Sequence, residues 1–195
     1  MKKIIVLIVA AVAVMGCSNS GQEKEAVKAC SNSGQEKEAV KVPPLDTATV
    51  VQRVNDIYTT VFDRYREART MLRPLRRGDF DATFCSADWN HWLGRVMTYD
   101  KENCQGMVGF FEADHWIMGQ DWDDLSVSDV RVTAMTASTA SVNFNLHNCG
   151  SVKAVRLDMV REGDELKIDD FVDVDNGIDW KAKMKAYMKH NKIPR

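Results

Sequence analysis

Between Asp129 and Ile168 the chain alternates apolar and polar residues with a period of two, and this pattern limits the fold more than any other feature. Val130, Val132 and Ala134 alternate with Asp129, Arg131 and Thr133. Ala140, Val142, Phe144 and Leu146 alternate with Ser141, Asn143, Asn145 and His147, and Val155, Leu157 and Met159 with Ala154, Arg156 and Asp158. Such a period predicts antiparallel strands with one buried and one wet face. Asn148-Cys149-Gly150 and Glu162-Gly163-Asp164 carry the turn residues between them. A further strand is expected from Glu165 to Val174, leading through Asn176-Gly177 into a closing helix. There Met184, Tyr187 and Met188 face inward and Lys181, Lys183, Lys185 and Lys189 outward.

Helical spacing precedes the strands. Val50, Val51, Val54, Ile57, Tyr58, Val61, Phe62, Tyr65, Ala68 and Leu72 recur at steps of three and four. Thr47 is placed to cap this long helix and Pro74 to end it. A second helix is expected from Ser86, with Trp89, Trp92, Leu93, Val96 and Met97 on its apolar side. Residues 98–124 read as a short helix or an irregular aromatic-rich connection. Helices first and hairpins after define an α+β domain, helices on one face of an antiparallel sheet of about four or more strands.

Between residues 17 and 45 the sequence cannot build a core. Cys17–Lys28 reads CSNSGQEKEAVK, and Cys30–Lys41 repeats it without a change. Such polar residues bury too little apolar surface to offset chain entropy, and Pro43-Pro44 stiffens the exit. Residues 17–45 are therefore read as a disordered tether spanning roughly 30 Å. Residues 46–195 are left as a single domain, long enough for a real core.

Residues 1–16 have the three zones of an export signal: Lys2 and Lys3, the apolar run Ile4–Met15, and small Gly16. The run is short for a membrane span, which needs roughly 20 residues. Val14-Met15-Gly16-Cys17 resembles the lipobox of bacterial lipoproteins. The resemblance implies cleavage before Cys17 and fatty acylation of its thiol and amine. The mature chain would then be anchored to a bacterial lipid bilayer, outer membrane foremost, on an oxidising extracytoplasmic side. Cys30 copies the anchor cysteine without an apolar run before it. Loss of Lys2 and Lys3 takes the 26 basic residues to 24, against 28 acidic. A net charge of about −4 argues against a nucleic-acid partner.

The order of elements resembles the cone-shaped nuclear-transport-factor-2-like superfamily and, more narrowly, Bacteroidetes-type lipoproteins whose domain has no assigned function. The residues carrying this are Phe84 to Val96, Asp114-His115-Trp116-Ile117-Met118-Gly119-Gln120-Asp121-Trp122 and Leu166-Lys167-Ile168-Asp169-Asp170-Phe171. The closing helix departs from the superfamily. The resemblance implies a pocket between a curved sheet and the long helix, and no activity transfers with a superfold.

Candidate site residues follow from phase and type. Asp170 shares the phase of Leu166 and Ile168; an inward carboxylate would have its pKa raised and suit acid–base work. A bulge at Asp169-Asp170 would instead turn both to solvent. Trp89, Trp92, Trp116 and Trp122 either line a ligand cavity or form plain core. His115 with Asp114 or Asp121 could shuttle a proton, whereas His91 is expected to be exposed. Arg69, Arg73, Arg76 and Arg77 form either an anion site or a solvated helix end. Cys85, Cys104 and Cys149 allow one disulfide. Cys85–Cys104, flanking the second helix, is favoured over Cys104–Cys149. His147 and Cys149 with Cys104 or Cys85 match no standard zinc spacing, so no metal and no cofactor are expected.

Three functions fit: a non-enzymatic module binding a small apolar ligand, peptide or envelope partner; a passive structural lipoprotein with a filled cone; and a lyase- or isomerase-like enzyme using a pocket acid.

Overall fold

The computed structural model describes residues 44–72, 74–104 and 109–191. The leader, the lipobox with Cys17, Cys30 and most of the copied tether lie outside the described residues. Lys41–Arg195 form one compact unit. Among the described residues no helix is long and apolar enough to cross a membrane.

The first helix, α1 (Thr47–Met71), buries Val50, Val54, Ile57, Tyr58, Val61, Phe62 and Tyr65 of the stripe its spacing predicts, with Val51 and Ala68 at its half-buried margins. Its cap is Asp46 rather than Thr47, because the Asp46 carboxylate accepts both the Thr49 N–H and the Thr49 hydroxyl. Leu72, expected on the inner stripe, adopts a left-handed φ of 51° and is 92 % exposed. The helix has ended one residue before, so its periodicity no longer aims the side chain inward.

A short helix unforeseen in the sequence, α2 (Arg77–Phe84), precedes α3 (Ala87–Asn103). Ser86 caps α3 as predicted, accepting from Trp89 N at 3.0 Å. Of the predicted apolar side Trp89 and Val96 are buried, while Met97 is 53 % exposed.

The five strands are β1 (Ser126–Met135), β2 (Thr139–Asn148), β3 (Ser151–Glu162), β4 (Glu165–Asp173) and β5 (Ile178–Asp179). They form one sheet in the order β1-β2-β3-β4-β5, every neighbouring pair antiparallel. The chain folds as an α+β unit with a closing helix, α4 (Trp180–His190). Asn148 pairs with Ser151, leaving the two-residue turn Cys149-Gly150 with φ of 50° and 71°. Two positive φ values match the twist of the flanking strands.

Ala140, Val142, Phe144 and Leu146 of β2 and Val155, Leu157 and Met159 of β3 meet the α1 stripe in the core. Each large apolar side chain buried this way stabilises the fold by about 1.5–3 kcal/mol. In α4, Met184 and Met188 point inward as expected. Lys181, expected to face out, is only 11 % exposed, held by Asp169 and Asp88.

Candidate functional site

The space between sheet and helices is filled by rings. Trp116 lies 4.9 Å from Phe171, 5.8 Å from Phe80 and 6.2 Å from Tyr58, between ring centroids. Tyr58 sits 4.9 Å from Phe144, and Trp89 sits 4.8 Å from Phe171. The mostly edge-on and tilted geometries are those that aromatic quadrupoles favour. Trp89 and Trp116 are thus interior packing, not the wall of a cavity.

A buried polar group is embedded in this layer. Asp81, on the short helix α2, uses one oxygen, Oδ1, for three neighbours. Trp89 Nε1 donates to it at 3.1 Å, His115 Nε2 lies at 2.8 Å, and the Cys85 thiol donates at 3.8 Å. Asp81 and Cys85 are one helical turn apart, which places both on one face. The ring of His115 is enclosed by those of Trp89, Phe111, Trp116 and Phe171 at 4.9–5.8 Å. Burial, then the neighbouring Asp81, pushes the Cys85 thiol well up; the thiol form is a poor nucleophile.

Asp114 makes a separate set of bonds. It accepts from Trp116 N at 2.9 Å, from the Tyr65 hydroxyl, and from Arg77 Nε at 2.9 Å. Burial and the Asp114 charge push the Tyr65 phenol far up, so it stays a donor. Asp121, expected beside His115, is exposed. The partner of His115 is Asp81, 34 positions earlier. No local spacing signals that pair, because α2 and the 109–125 connection meet only in the folded chain.

Asp170 is buried, but not by continuing the alternation. Met159 pairs with Ile168 and Asp158 with Asp170, so Asp169 is an extra residue in β4. The bulge sets Asp170 opposite Asp158 instead of on the core face. The α4 end covers it there: Oδ1 accepts Phe171 N at 2.8 Å and Lys181 N at 3.0 Å. Burial, followed by a hydrogen bond to the Asp179 carboxyl, pushes Asp170 up to about 8. Both sequence readings hold in part: the bulge forms, and the carboxyl is buried with a raised pKa.

The expected Cys85–Cys104 bridge is absent; Cys85, Cys104 and Cys149 are free thiols. Cys85 precedes α3 and Cys104 follows it. Seventeen helical residues separate the two by roughly 25 Å, whereas a disulfide needs Cα atoms within about 7 Å. His147 contacts Ser128 Oγ at 2.9 Å. His91 is exposed on α3. Arg69 is paired with Asp123 at 3.0 Å and Arg77 with Asp114. Arg73 lies outside the described residues.

The open spaces are on the surface. A cleft of about 490 Å³ runs between α1 and α2, with Ala68, Met71, Leu75, Phe80 and Phe84 among its apolar walls and Arg64, Glu67, Arg76 and Asp79 as its charges. A neighbouring cleft of about 390 Å³ shares Ala68 and Leu75 and is closed by Trp122, Arg69 and Asp121. The Arg69 guanidinium lies 5.1 Å from the Trp122 ring. Trp92 is half-buried, with Arg95 and Lys185 over its ring at 5.0 and 5.4 Å. Of the four candidate tryptophans, Trp122 alone lines either of these two clefts, and it lines only the second.

The fold and these sites define an α+β domain with an aromatic-filled interior, one enclosed His–Asp pair and apolar surface clefts. No protein-family model matches the chain, no curated protein is detectably similar to it, and no solved structure matches its fold.

Proposed function

We propose that the chain is an exported lipoprotein, anchored through acylated Cys17, whose nuclear-transport-factor-2-like domain is a non-enzymatic binding module. Its partner is a peptide or an envelope protein met at the outer surface, and the α1–α2 cleft is the place of contact. The carrying observation is the ring layer of Tyr58, Trp89, Trp116, Phe144 and Phe171, which occupies the volume a ligand-holding cone would leave open. The cleft supplies apolar wall and rim charge of both signs, the composition of a protein–protein contact surface.

An acid–base enzyme fits less well. The Asp81–His115 pair is enclosed by rings, and the Asp170 carboxyl is engaged by two backbone N–H groups and Asp179.

Two measurements test the reading. Anchorage predicts a mature N-terminus at Cys17 bearing acyl chains, and a Cys17→Ala chain that leaves the membrane fraction. Retention of Met1 in the purified protein would sink it. Binding predicts that a photo-crosslinker at exposed Met71 captures one defined envelope protein and that Leu75→Asp abolishes the capture. A small apolar molecule retained inside the purified domain by native mass spectrometry would overturn the surface-binding reading.

A further inference from the structure

The junction of β4 and α4 joins two carboxyl groups that cannot both be ionised at low cost. Asp179 is the N-cap of α4 and accepts Ala182 N at 2.7 Å. Asp170 accepts Lys181 N from the same first turn and meets the Asp179 carboxyl in a hydrogen bond. Carboxylates are acceptors only, so a bond between two of them requires one proton.

The surroundings favour keeping that proton. From β3, Arg156 and Asp158 face this region, paired to each other at 3.0 Å. From β4, Asp169 holds Lys181, and from α3, Asp88 holds the same ammonium at 2.9 Å. Five carboxyl groups (Asp88, Asp158, Asp169, Asp170 and Asp179) therefore share three cations, Arg156, Lys181 and, beside Asp88 only, Lys185.

We infer that Asp170 and Asp179 share one proton that latches the first turn of α4 onto β4, making the docking of this helix pH-dependent. Trp180, Met184 and Met188 form the buried face of α4, where the Phe111 ring stacks on Trp180 at 5.5 Å and the Phe110 ring meets it edge-on at 6.1 Å. Loosening the latch weakens the cover over that apolar strip.

The direction follows from linkage. The Asp170 pKa is raised in the folded chain to about 8 from 3.8. Between these values the folded state holds a proton that the unfolded state has lost, so stability falls as pH rises and levels off above about 8. Asp179 is held below its ordinary value; burial raises it, and the Asp170 bond, Ala182 N–H, Arg156 and Lys181 outweigh that. Its own contribution is lost only at acid pH.

The test compares wild-type protein with Asp170→Asn, whose amide can donate to Asp179 while its oxygen still accepts from the two N–H groups. The wild-type unfolding constant, relative to the variant, should rise by up to about tenfold per pH unit between about 5 and 8. Amide exchange of residues 180–190, corrected for intrinsic pH dependence, should quicken over the same range in wild type alone. Identical pH dependence in the two proteins overturns the latch. If the variant does not fold, carbon-13 carboxyl shifts decide: a midpoint at Asp170 near 8 that falls in Asp179→Asn supports the shared proton, and one near 4, or one that Asp179→Asn leaves unmoved because burial alone sets it, refutes it.

Discussion

The Asp81 carboxyl and the His115 imidazole, from a short helix and an irregular connection, meet at 2.8 Å inside a shell of aromatic rings. The contact fastens α2 to the 109–125 connection and sets the layer in which Trp89, Trp116 and Phe171 pack.

Removing one member leaves the other buried without its partner. Asp81→Ala should destabilise the domain by about 3–5 kcal/mol, the usual range for breaking a buried pair. Urea unfolding monitored by tryptophan fluorescence checks this. A loss below about 1 kcal/mol would mean that the pair is not enclosed.

Phe171 touches Trp89, His115 and Trp116. Phe171→Ala should cost about 3–5 kcal/mol through lost transfer energy and the cavity it leaves. The denaturation midpoint should drop with the slope unchanged. If the variant instead matches wild type, the interior is not ring-packed.

Ser86 both caps α3, accepting from Trp89 N, and donates to Asp169 Oδ1 at 2.7 Å. Ser86→Ala should cost about 1–2 kcal/mol, and Ser86→Thr should recover part of it. Equal stability of Ser86→Ala and wild type would show that neither bond matters.

The free thiols predict a redox-insensitive domain. Reductant should leave its melting temperature unchanged, and a thiol reagent should label exposed Cys149 in the native state well before buried Cys85. A peptide map with Cys85 joined to Cys104 would contradict the fold around α3.

Sequence alone determined whatever depends on neighbours along the chain. The period of two in β2 and β3 fixed which side chains reach the core, since successive residues of a strand point to opposite faces. The α1 stripe, the Ser86 cap and the Asn148-Cys149-Gly150 turn were legible for the same local reason. The tertiary structure alone decided which distant groups meet. It gave His115 to Asp81 rather than to Asp121, kept Cys85 and Cys104 at opposite ends of a rigid helix, and drew Lys181 onto Asp169 and Asp88. At Asp170 a single inserted residue overrode the alternation, and α4, packed from later in the chain, kept the displaced carboxyl from water. Periodicity describes one element at a time, whereas burial and pairing are set by the elements that pack against it.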